Sequence, residues 1–273
     1  MWKDTELCLG LGEQFCLPIE EQIKLFKRYC FDRFFIYWDD IEDIGKLKRY
    51  SEENEIGIQF IHAPYDRARE LWTADSSEAV SELFDCLHDC ARIGVDLAVF
   101  HSIIGFEMHS PNGYGIESFG KVIDEAERLG IKVAFENIEG EEYLSAIMDA
   151  FRDRAHVGFC WDSGHEQCYN DAKDMLALYG DRLMCVHLND NLGMSDIHIL
   201  PFDGIIDWDD AAKRLNRHGF EGPLTFELKT LTYPYRMETG EHDYDDIRRF
   251  LSTAYMRACK IAALMDRDRK TKG

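Results

Sequence analysis

Short apolar runs recur along the chain, and between them lie stretches whose apolar positions repeat every three to four residues. The runs predict eight strands: ELCLGLG (6–12), FDRFFIYW (31–38), GIQFIHA (57–63), DLAVFHSI (96–103), KVAFENI (132–138), VGFCWD (157–162), LMCVHLND (183–190) and PLTFELK (223–229). Their starts lie 25 to 40 residues apart, the spacing of βα units with a crossover helix. LPIEEQIKLFKRYC (17–30) predicts a helix opened by Pro18, with acidic residues in its first turn. DSSEAVSELFDCLHDCARIG (75–94) offers Asp and Ser as caps and stops at Gly94, and YGIESFGKVIDEAERLG (114–130) stops at Gly130 in the same way. Residues 246–273 read as a long final helix with a basic tail.

Eight strand–helix repeats in 273 residues fit a (β/α)8 TIM barrel, and no Pro/Gly/Ser-rich linker divides 1–273 into more than one domain. The competing α/β architecture is an open doubly wound sheet, which usually carries a glycine-rich phosphate loop after its first strand. That position here reads LGLGEQFCLP, which is not GxGxxG.

A barrel builds its active site at the C-terminal ends of its strands. Strand three ends in His62, strand four in His101, strand five in Glu136 and strand six in Asp162, with His165 three residues on. Strand seven ends in His187, with Asp196 and His198 in the following loop, and strand eight carries Glu227. A lone histidine at a strand end is more often a core or surface residue than a ligand. Six successive strands with such residues at the same end are another matter. A carboxylate inside VAFENI or LTFELK costs several kcal/mol to bury unpaired. Two of them call for a shared counter-charge, which a divalent metal supplies. Carboxylates with imidazole and no thiolate suit Mn²⁺, Mg²⁺, Zn²⁺, Co²⁺ or Fe²⁺.

Composition narrows the partners. A net charge of −21 disfavours nucleic acid and anionic membranes and favours a small or cationic ligand. No window approaches the roughly 18 to 20 apolar residues of a membrane span. The start MWKDTELCLG lacks the basic and apolar regions of a secretory signal, so a cytoplasmic protein is expected. Nine cysteines, an odd number without a CxxC pair, read as reduced thiols, with Cys8, Cys160 and Cys185 inside apolar runs.

The series HAP (62–64), His101, FEN (135–137), WDSGH (161–165), HLND (187–190), DIH (196–198), PFDGIIDW and FEL resembles the xylose-isomerase-like TIM-barrel superfamily. That superfamily holds sugar (phosphate) isomerases and epimerases, inosose dehydratases and endonuclease IV enzymes. In its isomerase/epimerase branch the resemblance implies one divalent metal on Glu136, Asp162, His187 and Glu227. Glu136 and Glu227 would flank the substrate and exchange a proton beside a carbonyl through an enediolate. His62, His101, His165, Asp196, His198 and Lys229 would contact substrate, a sugar, polyol or cyclitol. A dehydratase would use the same base and metal to expel a hydroxyl. The endonuclease IV branch implies up to three Zn²⁺ on His62, His101, Glu136, Asp162, His165, His187, Asp196, His198 and Glu227. A homo-oligomer would be in keeping with small-molecule enzymes of this shape.

One departure stands out: Phe202 occupies a place where the sugar enzymes commonly have glycine. Among weaker candidates, Tyr37, Trp38 and Trp161 could stack on a sugar, and Arg67 and Arg69 could meet an anionic group. No basic cluster is placed to cradle phosphate, which favours a non-phosphorylated substrate. Residues 231–246 form a long loop, a candidate lid or oligomer contact.

Overall fold

A computed structural model of the chain describes residues 5–12, 15–105, 110–229 and 244–272. Eight strands alternate with helices: β1 (Leu7–Gly10), α1 (Ile19–Arg28), β2 (Arg33–Tyr37), α2 (Ile44–Glu53), β3 (Gly57–His62), α3 (Ser77–Ile93), β4 (Leu97–Phe100), α4 (Gly113–Leu129), β5 (Lys132–Glu136), α5 (Glu141–Ala150), β6 (Val157–Asp162), α6 (Ser163–Cys168), α7 (Met175–Tyr179), β7 (Leu183–His187), α8 (Trp208–Arg217), β8 (Leu224–Phe226) and α9 (Tyr244–Lys272). The strands pair in parallel and in chain order, with β8 beside β1. Leu188, just past β7, bridges Phe226 and donates its N–H to the Thr225 carbonyl at 2.8 Å, which draws the two ends of the sheet together. The fold is the expected TIM barrel.

Side chains alternate across each strand, so every second residue points into the barrel. Cys8, Phe35, Phe60, Leu97, Val99, Ala134, Cys160 and Cys185 form the interior cluster, with buried Thr225 contributing from β8. The opposite faces of the strands pack against the helices in the larger apolar core, among them Phe34, Ile61, Ala98, Phe135 and Trp161. All nine cysteines are free thiols. No helix among the described residues is long and apolar enough to cross a membrane.

The predicted helix stops are present. Gly94 (φ 79°) and Gly130 (φ 73°) end α3 and α4 in the left-handed conformation that glycine adopts without steric cost. Pro18 sits one residue before α1, and Ser76 precedes α3 without a side-chain capping bond. Apart from β6, the strands run shorter than their apolar runs, leaving His101 and Glu227 just past β4 and β8. The lid candidate at 231–246 lies outside the described residues except for 244–246, which begin α9.

Candidate metal centre and active site

Two residues beyond the interior layer, the same faces of the strands carry the chemistry. Phe60 is followed by His62, Val99 by His101, Ala134 by Glu136, Cys160 by Asp162, Cys185 by His187 and Thr225 by Glu227. On the first two strands the equivalent positions are Gly10 and Tyr37. A Cβ at Gly10 would stand 2.8 Å from Phe35 Cζ, so the glycine makes room for that ring. Phe35 stacks on His187 (centroids 5.2 Å apart) and on Phe60 (4.8 Å), and forms an apolar floor beneath the site.

Three ligand groups result, and they contain all nine polar positions read from the sequence. Glu136, Asp162, His187 and Glu227, all buried, bring ligand atoms within 4.8 Å of one another. His62, His101 and Glu136 form a second group, and His165, Asp196 and His198 a third. Glu136 belongs to two groups. Its Oε1 lies 2.9 Å from His187 Nδ1 and 3.2 Å from His165 Nδ1, and its Oε2 lies 3.4 Å from His62 Nε2 and 3.3 Å from His101 Nε2.

The donor set fits divalent metal. Ligand atoms no more than 4.8 Å apart come within reach of a single ion, at a metal–ligand distance of about 2.1 Å, with little movement. His62 Nδ1 donates to the Ala63 carbonyl (2.9 Å), His165 Nδ1 to that of Asn137 (3.1 Å) and His198 Nδ1 to that of Glu227 (3.0 Å). A carbonyl only accepts, so in each ring Nδ1 carries a proton and Nε2 is the nitrogen that faces the ligand groups, the arrangement typical of metal-binding histidine. His187 Nε2 and Glu227 Oε2 are buried without a hydrogen bond among the described residues.

The electrostatics show how strongly the buried carboxylates and imidazoles act on one another. Burial pushes the Asp162 carboxyl up to about 6. Burial also opposes charge on Glu227, but His187 and His198 outweigh it and hold that carboxyl down at about 2. Glu136 is likewise held well below the usual carboxylate range by the imidazoles around it, against its burial. Burial disfavours a charged His187, yet Glu136 and Glu227 push it up to about 10.

Residues that the sequence did not mark hold the ligands in place. Asn189 Nδ2 donates to Asp162 Oδ2 (2.7 Å), and Asn137 brackets the Asp162 backbone, accepting from its N–H (2.7 Å) and donating to its carbonyl (2.9 Å). Gly164 permits this, because a Cβ there would lie 1.9 Å from Asn189 Oδ1. Asp190 is not a ligand. Its Oδ1 accepts from the N–H of Asn191 (3.0 Å) and Ile206 (3.1 Å), and its Oδ2 from Phe202 N–H and Trp208 Nε1 (both 2.9 Å). It ties down the loop that carries Asp196 and His198. The asparagines in FEN and HLND were the only signal: buried amides beside ligands orient them.

A cavity of about 570 Å³ opens above the groups. Tyr37, Tyr65 and Tyr169 line it together with Asp39, Asp40, Asp66 and Glu139. Lys229 lines it too, its Nζ 3.5 Å from Asp196 Oδ2, and is the single Lys or Arg among the described lining residues. Arg67 is instead paired with Glu70 and Glu78, and Arg69 donates to the Ile104 carbonyl. Trp38 bonds Asp89, and buried Trp161 bonds Glu166. These four do not line the cavity.

An eight-stranded parallel barrel with histidines and carboxylates gathered at the strand ends places the chain among TIM barrels with a candidate metal centre at that end. Residues 23–254 match the family model described as xylose isomerase-like TIM barrel, and the chain belongs to that family. It is similar to a D-tagatose 3-epimerase-like protein of known structure, with 17% identity, TM-score 0.75, and coverage of 98% of this chain and 100% of that one. It is also similar to an L-ribulose 3-epimerase, with 14% identity, TM-score 0.74, and coverage of 98% and 97%. The uncharacterized protein y4fM of Sinorhizobium fredii is 35% identical over 116 residues, which are 40% of this chain and 37% of that protein.

Proposed function

We propose that the protein is a divalent-metal-dependent isomerase or epimerase of a keto sugar or related polyol or cyclitol, moving a proton on the carbon beside a carbonyl. The observation that carries this reading is the pairing of Glu136 and Glu227. Glu136 ends β5 and Glu227 follows β8, three strands apart around the barrel, within one four-ligand group under one cavity. Two carboxylates so placed can take a proton from one face of a substrate and return one to the other. A bound ion would supply the Lewis acid that stabilises the developing enediolate. Asp162 and His187 complete its ligand set. His165, His198, Asp196 and Lys229 then face the substrate's hydroxyls. The acidic lining disfavours phosphorylated substrates, and the epimerases of similar structure lend further support.

Solvent deuterium should enter a ketose or inosose in the presence of Mn²⁺ or Co²⁺. Glu136→Gln and Glu227→Gln should each lower that exchange by about 10³-fold or more, as expected for loss of a base that is also a ligand. Absence of exchange across a broad panel of ketoses and inososes would sink the reading, and a dehydrated product would move it to the lyase.

The two further ligand groups favour a second reading, a multinuclear zinc phosphoesterase acting on abasic DNA. Its difficulty is the cavity, where one lysine faces four carboxylates beyond those of the ligand groups, and these repel a phosphodiester backbone. Elemental analysis separates the two: about one ion per chain supports the isomerase, about three with nicking of abasic duplex the nuclease.

A further inference from the structure

We propose that Tyr37 is a positioning residue for Glu227: its phenol holds Oε1, so that the carboxylate presents Oε2 alone to the metal-ligand group. The proposal rests on Glu227 serving that group as read above. β2 supplies none of the nine polar positions, and at the level where its neighbour β3 has His62 it offers Tyr37. The phenol donates to Glu227 Oε1. Its ring is pinned between His62 (centroids 4.6 Å apart) and the edges of Phe35 (6.0 Å) and Tyr65 (6.4 Å), so the donor has little freedom to leave.

The other oxygen is in a different position. Glu227 Oε2 is buried without a hydrogen bond among the described residues, 3.4 Å from His187 Nδ1 and 3.3 Å from His198 Nδ1. A carboxylate with one oxygen committed to a fixed phenol cannot turn to grip a cation with both. Glu136 has no comparable restraint: imidazoles, all of them ligand candidates, face both of its oxygens. The two glutamates are therefore inequivalent, one shared between ligand groups and one held to a single metal-facing oxygen by Tyr37.

Tyr37→Phe removes the hydroxyl and keeps the ring. Cobalt(II) titrated into wild type, Tyr37→Phe and Tyr65→Phe reports ligand geometry through its visible bands, independently of turnover. The expected result is altered band positions and intensities in Tyr37→Phe and a wild-type spectrum in Tyr65→Phe. In deuterium exchange, kcat of Tyr37→Phe should fall about 10- to 100-fold with KM within about threefold, the pattern of a lost bond to a charged group that acts in the transition state. A wild-type cobalt spectrum in Tyr37→Phe, or the same change in both variants, overturns the proposal. Should the wild type exchange no ketose, the isomerase reading fails while the cobalt comparison still decides the role of Tyr37.

Discussion

His165 and Glu166 are neighbours on α6, yet they serve two buried charge clusters of opposite character. Glu166 is saturated: Arg214 donates to both of its oxygens at 2.7 Å, Trp161 Nε1 to Oε2 at 2.8 Å and Met175 N–H to Oε2 at 3.1 Å. Arg214 also pairs with Asp174 and lies 5.1 Å from the centroid of the Trp161 ring. His165 instead faces Glu136 and Asp196, in a cluster where the only cationic partners of three buried carboxylates among the described residues are imidazoles, and where atoms are left without hydrogen bonds. Both clusters bury charge, and only one of them is complete without a ligand. Completeness, more than burial, separates a strut from a site.

The largest effect should come from breaking the complete cluster. Arg214→Ala leaves Glu166 buried and uncompensated and should cost about 3 to 5 kcal/mol in urea unfolding. In the other cluster, stability should come from outside: Mn²⁺ at a thousand times its Kd adds about 4 kcal/mol to an otherwise two-state chain. Glu136→Gln should forfeit most of that gain, whereas Arg214→Ala should keep it. A Mn²⁺ response that survives Glu136→Gln would mean that the ion binds elsewhere.

Much of this contrast was legible in the sequence, because polar residues ending apolar runs stand out. Once the strands are placed, the two-residue period predicts that His62, Glu136, His187 and Glu227 rise from one interior layer. The runs KVAFENI and VGFCWD became β5 and β6 nearly to the residue. What sequence withheld was pairing across distance. Nothing in FFIYW says that Tyr37 reaches Glu227, 190 positions later, or that Asp190 of HLND is an anchor while His187 joins the candidate ligand group. Residue types allowed one metal or three; only geometry divides the nine positions into three groups, two of which share Glu136. The short helices α6 and α7 escaped notice because 6 and 5 residues are too few to show a helical period.

A change of pH should also separate the clusters in metal-free protein, by a smaller amount. His187 is held up at about 10 against an ordinary 6.5, because Glu136 and Glu227 overcome its burial. Its folded pKa is the raised one, so its contribution is whole below pH 6.5 and drains away as pH climbs towards about 10. Arg214 is raised above an already high 12.5, so its pairing with Glu166 persists through that window. Urea unfolding in the presence of chelator should therefore show stability falling from about pH 7 to about pH 9.5, and His187→Gln should flatten the slope. An unchanged slope in that variant would place the titrating group elsewhere.

The smallest effect belongs to the residue that departs from the sugar-enzyme pattern. Phe202 adopts φ 74°, so the backbone keeps the left-handed turn that glycine would favour and the side chain bears the strain. Its ring packs on Trp208 (centroids 5.9 Å apart) and carries the Lys260 ammonium 3.6 Å from its centroid, while its N–H donates to Asp190. Phe202 is not among the described residues that line the cavity. Phe202→Gly keeps the N–H and relieves roughly 1 to 2 kcal/mol of backbone strain. It also loses the ring contacts and adds about 0.5 to 1 kcal/mol of chain entropy on unfolding. The opposing terms should leave stability within about 1 kcal/mol of wild type, with the Mn²⁺ response intact. Loss of that response in Phe202→Gly would show that the ring, and not Asp190 alone, holds the loop of Asp196 and His198 against the site.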